Sequence, residues 1–502
     1  MHYMEIKKHV WVLIAIFIII LGIRLFFAFS TPHFSSSEAY FNLKEIEKIR
    51  QTWLPSFYDD LSFSGKTNVY LPTFHYIIAF FALVMPLTLA AKLIPNIAAA
   101  SLVFVVFLLA KKFTKNNKVS LLTAFISGFI PIFFKQTINS ISIYSFVIPL
   151  LFLAFYFFMQ VTDNKKYLPH YLFLMVLLTF LYPTMLLFVF ALVIYLIFMF
   201  IERMKLSRSE LEISLFSLFF AFWFYFIFFK KALLMHGIMV VWQNIPMQIL
   251  RDYFASVNIL EAIYKIGIIP FICGIYVIYR YLFREKNRQI YLLTAFAISV
   301  SLLLWLRSIQ LDIGLIFLSV TLLVLFSQFY RDFLDYIKKT KFAKYENYAF
   351  ILIVLLLFLS SVLPSVSYAY SEIKNTPSAD EINALLWLKS NTPESSVILA
   401  SVNEGTMINA IAKRKNVVDT NFLMIENSAE IFDDVKNIFT ANSEITALEL
   451  LNKYNVNYIF FSEEAKKEFK IESLNFIEER CFELVYNNSV QVYRPLCAVE
   501  EK

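Results

Sequence analysis

Glycine is scarce in this chain: eight in 502 residues. Nucleotide cradles of the G-x-G-x-x-G or P-loop kind need several glycines at fixed spacing, and no such run is present. Cysteine is scarcer still, at three, which is too few for a disulfide framework. There is no C-x-x-C pair, no H-E-x-x-H and no nucleophile elbow. Charge is also short. Only 17% of residues are Asp, Glu, Lys or Arg, against about a quarter in an ordinary soluble domain. The shortfall lies before residue 370, where apolar runs of roughly 17–24 residues recur. Runs of that length cross ~30 Å of hydrocarbon as helices.

What fills the chain is 59% hydrophobic sequence with 56 phenylalanines. The pattern predicts a polytopic α-helical membrane protein with about 11 transmembrane helices over 1–370, then a soluble α/β domain over 371–502. The expected spans are 10–29, 94–110, 119–134, 146–161, 167–183, 184–201, 212–229, 258–281, 290–306, 311–328 and 347–367. The first run, Val10 to Phe29, is too long for a signal h-region and lacks a small-residue cleavage site, so it is expected to stay as a span. Lys7 and Lys8 precede it, and basic clusters follow at 111–118, 163–166, 203–208, 280–288 and 331–344. The positive-inside rule then puts the N-terminus in the cytoplasm and the C-terminal domain outside. On this layout the net charge of +7 belongs to cytoplasmic loops and gives no reason to expect nucleic acid. The surroundings implied are a lipid bilayer; nothing in the sequence sets an oligomeric state.

Two long outer loops result, 30–93 and 230–257. The first is acidic and aromatic between Ser35 and Tyr76 and carries Glu38, Asp59, Asp60 and Lys66. Its apolar stretch 70–89 holds two prolines and His75, and reads as an interfacial helix. In the C-terminal domain, a helix over 379–390, a strand at 397–401, two helices near 428–438 and 443–453, a strand at 456–462 and a hairpin over Asn487-Asn488 are expected. Cys481 and Cys497 flank that hairpin asymmetrically.

The first loop carries a resemblance. Glu38-Ala39-Tyr40-Phe41-Asn42 is similar to an Asp-x-aromatic-Phe-Asn/His motif. Tyr58-Asp59-Asp60-Leu61-Ser62 through Lys66, and Tyr70-Leu71-Pro72 through His75-Tyr76, look like the runs that follow it. Further on, Trp387-Leu388-Lys389-Ser390-Asn391-Thr392-Pro393 frames Asn403-Glu404-Gly405, where a tryptophan-rich W-W-D-Y-G stands in the same family. Layout and motifs together resemble the GT-C membrane glycosyltransferases, nearest to archaeal relatives of the oligosaccharyltransferase catalytic subunit. The departures are specific. Glu replaces the first Asp, both tryptophans and the aspartate are replaced, and the loop Gln136–Ser142 holds no carboxylate where the family has two.

The resemblance implies transfer of a sugar or oligosaccharide from a polyprenyl phosphate or pyrophosphate to a protein or glycan acceptor at the outer membrane face. The lack of glycine loops agrees with a lipid-linked donor. Glu38 is the expected acid or base, with Asp59 and Asp60 beside it. Glu38 and Asp60 are the expected ligands of a divalent cation, Mg or Mn. Lys66, Arg307 and Lys135 are expected on the donor phosphate. Tyr40, His75, His236 and Trp242 are expected near the substrate, and Asn403, Glu404 and Gly405 on the acceptor side. The rival expectation is a membrane scaffold or accessory subunit that keeps the fold and has lost catalysis.

Overall fold

A computed structural model describes residues 2–254, 258–341 and 343–498. By its contacts the chain forms two compact units. The first comprises Met1–Pro32, Thr88–Phe228 and Tyr253–Lys374. The second gathers His33–Leu87, Phe229–Asp252 and Asn375–Lys502.

The first unit is helical and apolar. Among the described residues, eight helices are long and apolar enough to cross a membrane, or up to ten if two bent pairs each count as one span. Met185–Ile201 is apolar but shorter, and Leu168–Leu181 is shorter still. Every expected span therefore has a helical counterpart, while the count of eleven is not reproduced. The differences have local causes. The second span begins at Leu87, directly after Pro86, and runs to Thr114. The helix before it, expected over 70–89, is only Thr73–Phe81. The third is bent by 45° between Asn117–Ser127 and Pro131–Thr137, because Pro131 starts a new helix behind an extended Ile130. The eighth turns by 96° between Ile259–Ile266 and Ile268–Phe283. Gly267 makes that corner at φ 101°, a conformation that side chains with a Cβ rarely adopt.

Lys230–Arg251 passes the length and hydropathy test for a span, yet it is not a continuous rod. Gly237, Gln243 and Asn244 have positive φ and split it into three short helices. Broken backbone facing lipid would leave its polar groups without partners. Here they find partners in the second unit. Asn244 Nδ2 donates to the Ile425 carbonyl at 2.6 Å, and Ser428 Oγ donates to the Asn244 carbonyl at 2.8 Å. Ala232 packs with Leu423 and Met424. The segment is thus a loop docked on the globular domain.

That domain carries a mixed five-stranded sheet. Its strands are β3 (Val397–Leu399), β4 (Lys415–Asn416), β5 (Val456–Phe461), β6 (Phe482–Asn487) and β7 (Gln491–Pro495), in the order β4-β3-β5-β7-β6. The loop adds a two-stranded pair, β1 (Tyr58–Asp59) with β2 (Lys66–Thr67). β3 runs parallel to β4 and β5, and the β6–β7 hairpin is antiparallel. Cys481 and Cys497 are joined by a disulfide. The pairs Asn487↔Gln491 and Tyr486↔Val492 centre the turn on Ser489, from which Cys481 and Cys497 are equally distant in sequence.

Candidate functional site

Helix Ser37–Thr52 holds the first candidate. Ser36 caps it, accepting from the Ala39 N–H at 3.3 Å, and Glu38 sits in the first turn, where a carboxylate suits the helix dipole. Glu38 is reachable by water. Even so, enough protein surrounds the carboxyl that desolvation pushes it up to about 7, against an opposing hydrogen bond with Asn42. Asn42 lies four residues on, on the same helix face. Its Oδ1 is 2.9 Å from Nε2 of His75 on the next helix. His75 is buried, and desolvation lowers its imidazole to about 3, so the ring is neutral. A neutral ring facing an amide oxygen through Nε2 carries its proton there and donates it, which assigns the tautomer. Asn42 is then turned so that its NH₂ donates to Glu38. The edges of Phe41, Tyr70 and Phe74 enclose the imidazole. Tyr70 in turn donates to Glu45 at 2.5 Å. The result is a chain from His75 through Asn42 to one solvent-reachable carboxyl group.

The other loop candidates are placed differently. Asp59 is buried and ion-paired with Lys44, and its Oδ1 accepts from the Leu61 and Ser62 N–H groups. Its work is to hold a turn. Asp60 is exposed. Lys66, expected on a donor phosphate, is instead buried, donates to the Asn421 carbonyl and lies 3.5 Å from Asp419. Tyr40, expected at the substrate, is buried with its hydroxyl on the Phe34 carbonyl. Among the described residues no three of His, Cys, Asp or Glu converge. With Asp59 committed to Lys44, the chain alone does not complete the divalent-cation site expected from Glu38 and Asp60.

Acceptor-side expectations divide likewise. Asn403 is exposed and donates to Glu464. Glu404 faces inward: it accepts from Ser401 at 2.6 Å, and burial pushes its carboxyl up to about 8. Gly405 is there for space. A Cβ would collide with the Val418 carbonyl oxygen, and the Gly405 carbonyl accepts from Asn416 Nδ2 at 2.8 Å. His236 and Trp242 are half-buried in the docked segment 229–252.

In the first unit, Lys135 is one member of a cluster that sequence reasoning missed. Asp312 Oδ2 accepts from Lys135 at 3.2 Å and from Gln136 at 3.1 Å, while its Oδ1 accepts from Lys265 at 2.8 Å. Lys265 also meets Glu261 at 2.9 Å. The corner at Gly267 is what brings Lys265 to this helix end. The cluster is anchored from below by Arg24, which donates to Asn96 Oδ1 at 3.0 Å and to Thr137 Oγ1 at 2.6 Å and lies over the Phe134 ring. Arg307 is exposed in a left-handed turn between two spans.

These features define a class: the chain is an integral membrane protein with the fold of the GT-C glycosyltransferases. Two solved structures are of the oligosaccharyltransferase of Archaeoglobus fulgidus. One is tethered to an acceptor peptide with an NVT sequon. It matches with TM-score 0.69 and 16% identity over 93% of this chain and 71% of that one. The other, in complex with an inhibitory peptide and a dolichol-phosphate, matches with TM-score 0.64 and 15% identity over 91% and 69%. ArnT from Cupriavidus metallidurans, bound to undecaprenyl phosphate, matches with TM-score 0.54 and 11% identity over 98% and 99%. No protein-family model and no curated protein matches the chain by sequence.

Proposed function

We propose that this protein is a membrane glycosyltransferase that moves a sugar or oligosaccharide from a polyprenyl-phosphate or -pyrophosphate donor to a protein or glycan acceptor. The observation that carries the reading is the Glu38 carboxyl: water-reachable, aligned by Asn42 and His75, and held near neutral pH. A group with that pKa is suited to take a proton at physiological pH. In the transfer, the bond between the anomeric carbon and the donor phosphate oxygen breaks, and its electron pair stays on the phosphate. The acceptor oxygen or nitrogen forms the new bond and gives its proton to Glu38. Lys135 is the cation we assign to donor phosphate: its one carboxylate among the described residues, Asp312, is shared with Lys265, whereas Lys265 also holds Glu261. No step is routed through a metal ion. Basic loops at one set of helix ends, and the Cys481–Cys497 disulfide in the globular domain, support an extracytoplasmic placement of that domain.

The dolichol-phosphate and undecaprenyl-phosphate complexes of the structural neighbours support a polyprenyl donor. The scaffold reading has its own support: Asp59, Lys66, Tyr40 and Glu404 are all committed to internal bonds. Glu38→Gln separates the two. With purified protein and a mixed pool of polyprenyl-linked sugars, wild type transfers sugar and the variant loses about 10²–10⁴-fold in rate, the usual worth of a general base. Equal turnover by both would remove Glu38 from catalysis, and no turnover by wild type would favour the scaffold.

A further inference from the structure

The first unit has a second polar centre, at the far ends of its helices. Asp312 and Arg331 lie on one helix, Leu311–Lys338. The 19 residues from one to the other, at 1.5 Å each, span ~29 Å, about the thickness of a hydrocarbon core. Around Arg331 the helix ends enclose a cavity of about 630 Å³, within the range of small-molecule sites. It is separate from the Lys135–Asp312–Lys265 cluster.

Five cations line it: Lys112, Lys115, Lys286, Arg288 and Arg331. Two acids join them, Asp163 and Glu210, so the wall carries three more positive than negative charges. The cations differ in how firmly they are held. Arg288 pairs with the fully buried Glu210, which also accepts from the Tyr195 hydroxyl and from Ser207. Arg331 is oriented by the Phe113 carbonyl at 3.1 Å and by Asp332. Lys112 pairs with Asp163, which is 57% exposed, and Lys286 pairs with Glu202 at 2.7 Å near the surface. Exposed pairs of this kind are worth little and exchange readily. Lys115 is exposed and makes no ion pair among the described residues. The N-terminus of helix Arg288–Trp305 adds its positive end to the same wall.

Positive charge beside span ends is expected for topology alone, but topology requires neither a concavity nor an arginine fixed against a buried glutamate. The floor is apolar and aromatic, with Phe158 and Tyr195 buried beneath the cations. We propose that this cavity binds a phosphate-bearing anion, a mono- or diphosphate group carried by an anionic phospholipid head or by a soluble molecule. Basic pockets between transmembrane helices hold lipid head groups in this way. The fixed Arg288 and Arg331 orient the phosphate, with Lys112 held beside them by Asp163 and Gln160, and the exposed Lys115 and Lys286 close on it.

The test uses the full chain and two probes. Inorganic diphosphate is titrated into detergent-solubilised protein by calorimetry. Phosphatidylglycerol binding is read in phosphatidylcholine nanodiscs with and without that lipid. The cavity variant is Lys115→Glu with Lys286→Glu. Its control, Lys118→Glu with Lys166→Glu, makes the same charge change at exposed sites outside the cavity. At least one probe is expected to bind wild type and control alike and the cavity variant about tenfold more weakly or worse, the scale of one charged hydrogen bond. Diphosphate binding points to a soluble source, phosphatidylglycerol binding that diphosphate does not displace points to lipid, and both outcomes support the site. Binding of neither probe to wild type, or equal weakening in variant and control, overturns it.

Discussion

A carboxyl group poised near neutrality leaves a signature in pH. If Glu38 acts as a base, it must be ionised, so kcat/KM rises as pH climbs through about 7 and levels off above it. Asn42 favours the ionised form, so Asn42→Ala raises the Glu38 pKa and moves the midpoint of that profile upward, with a loss of activity at pH 7 and partial recovery at pH 9. A merely structural role for Asn42 would lower the whole profile without moving it. Glu404 makes an opposite kind of prediction, one of stability. Its folded carboxyl sits at about 8, well above the ~4.3 of an unfolded glutamate. The folded state therefore holds an extra proton between those values. The stability it contributes is complete below ~4.3 and falls by about 1.4 kcal/mol per pH unit as pH rises toward 8. Glu404→Gln mimics the protonated acid, so the variant melts above wild type at pH 8 and the two coincide near pH 4. A variant that melts lower at pH 8 would show that Glu404 is ionised in the fold.

At the scale of elements, the first loop and the globular sheet are one piece of architecture. Ser62 donates to Asp419 at 2.5 Å across 357 positions of sequence, the Phe63 N–H donates to Asn416 Oδ1 at 2.7 Å, and the Asn416 N–H returns to the Leu61 carbonyl at 2.9 Å. Lys66 and Asp419 form the buried ion pair at the centre. Removing one partner of such a pair costs about 3–5 kcal/mol, so Lys66→Ala should lower the melting temperature sharply; an unchanged melt would mean the latch is absent in solution. This coupling also shows where the sequence was readable. Helix Ser37–Thr52 was, from its cap and its first-turn acid. So was the exposure of Glu38 in that first turn, which needs no distant partner. Asn42 carried a usable signal at i+4 that motif matching alone did not weigh. The fates of Asp59 and Lys66 were not readable, because Lys44 and Asp419 meet them only through the folded loop. Nor was the Lys265–Asp312 contact, which depends on a 96° corner at one glycine. Hydropathy placed a helix at every expected span but misjudged how many are straight and long, since bends at Pro131 and Gly267 conserve composition while changing direction.

At the scale of the whole molecule, a charge inside the first span ties distant parts of the helical unit together. Arg24 is 1% exposed, and the groups it is seen to bind are Asn96, Thr137 and two phenylalanine rings. Arg24→Met removes the buried charge but leaves Asn96 Oδ1 without this donor, at a cost of about 1–3 kcal/mol. It also frees Pro131–Thr137 and with it Lys135. The expected result is a modestly lower melting temperature together with a higher KM for the lipid-linked donor. A fall in stability with unchanged KM would make Arg24 purely structural.

The same arginine has a consequence for how the chain is made. Leaving it unpartnered at depth in lipid is costly, and its hydroxyl partner lies 113 residues downstream. At roughly 5–20 residues per second of synthesis, this helix waits on the order of 5–25 s before that partner emerges from the ribosome. During that interval the helix must keep its charge hydrated, sheltered by the insertion machinery or displaced toward one face. This helix therefore settles in stages, first as Asn96 arrives and then as Thr137 does.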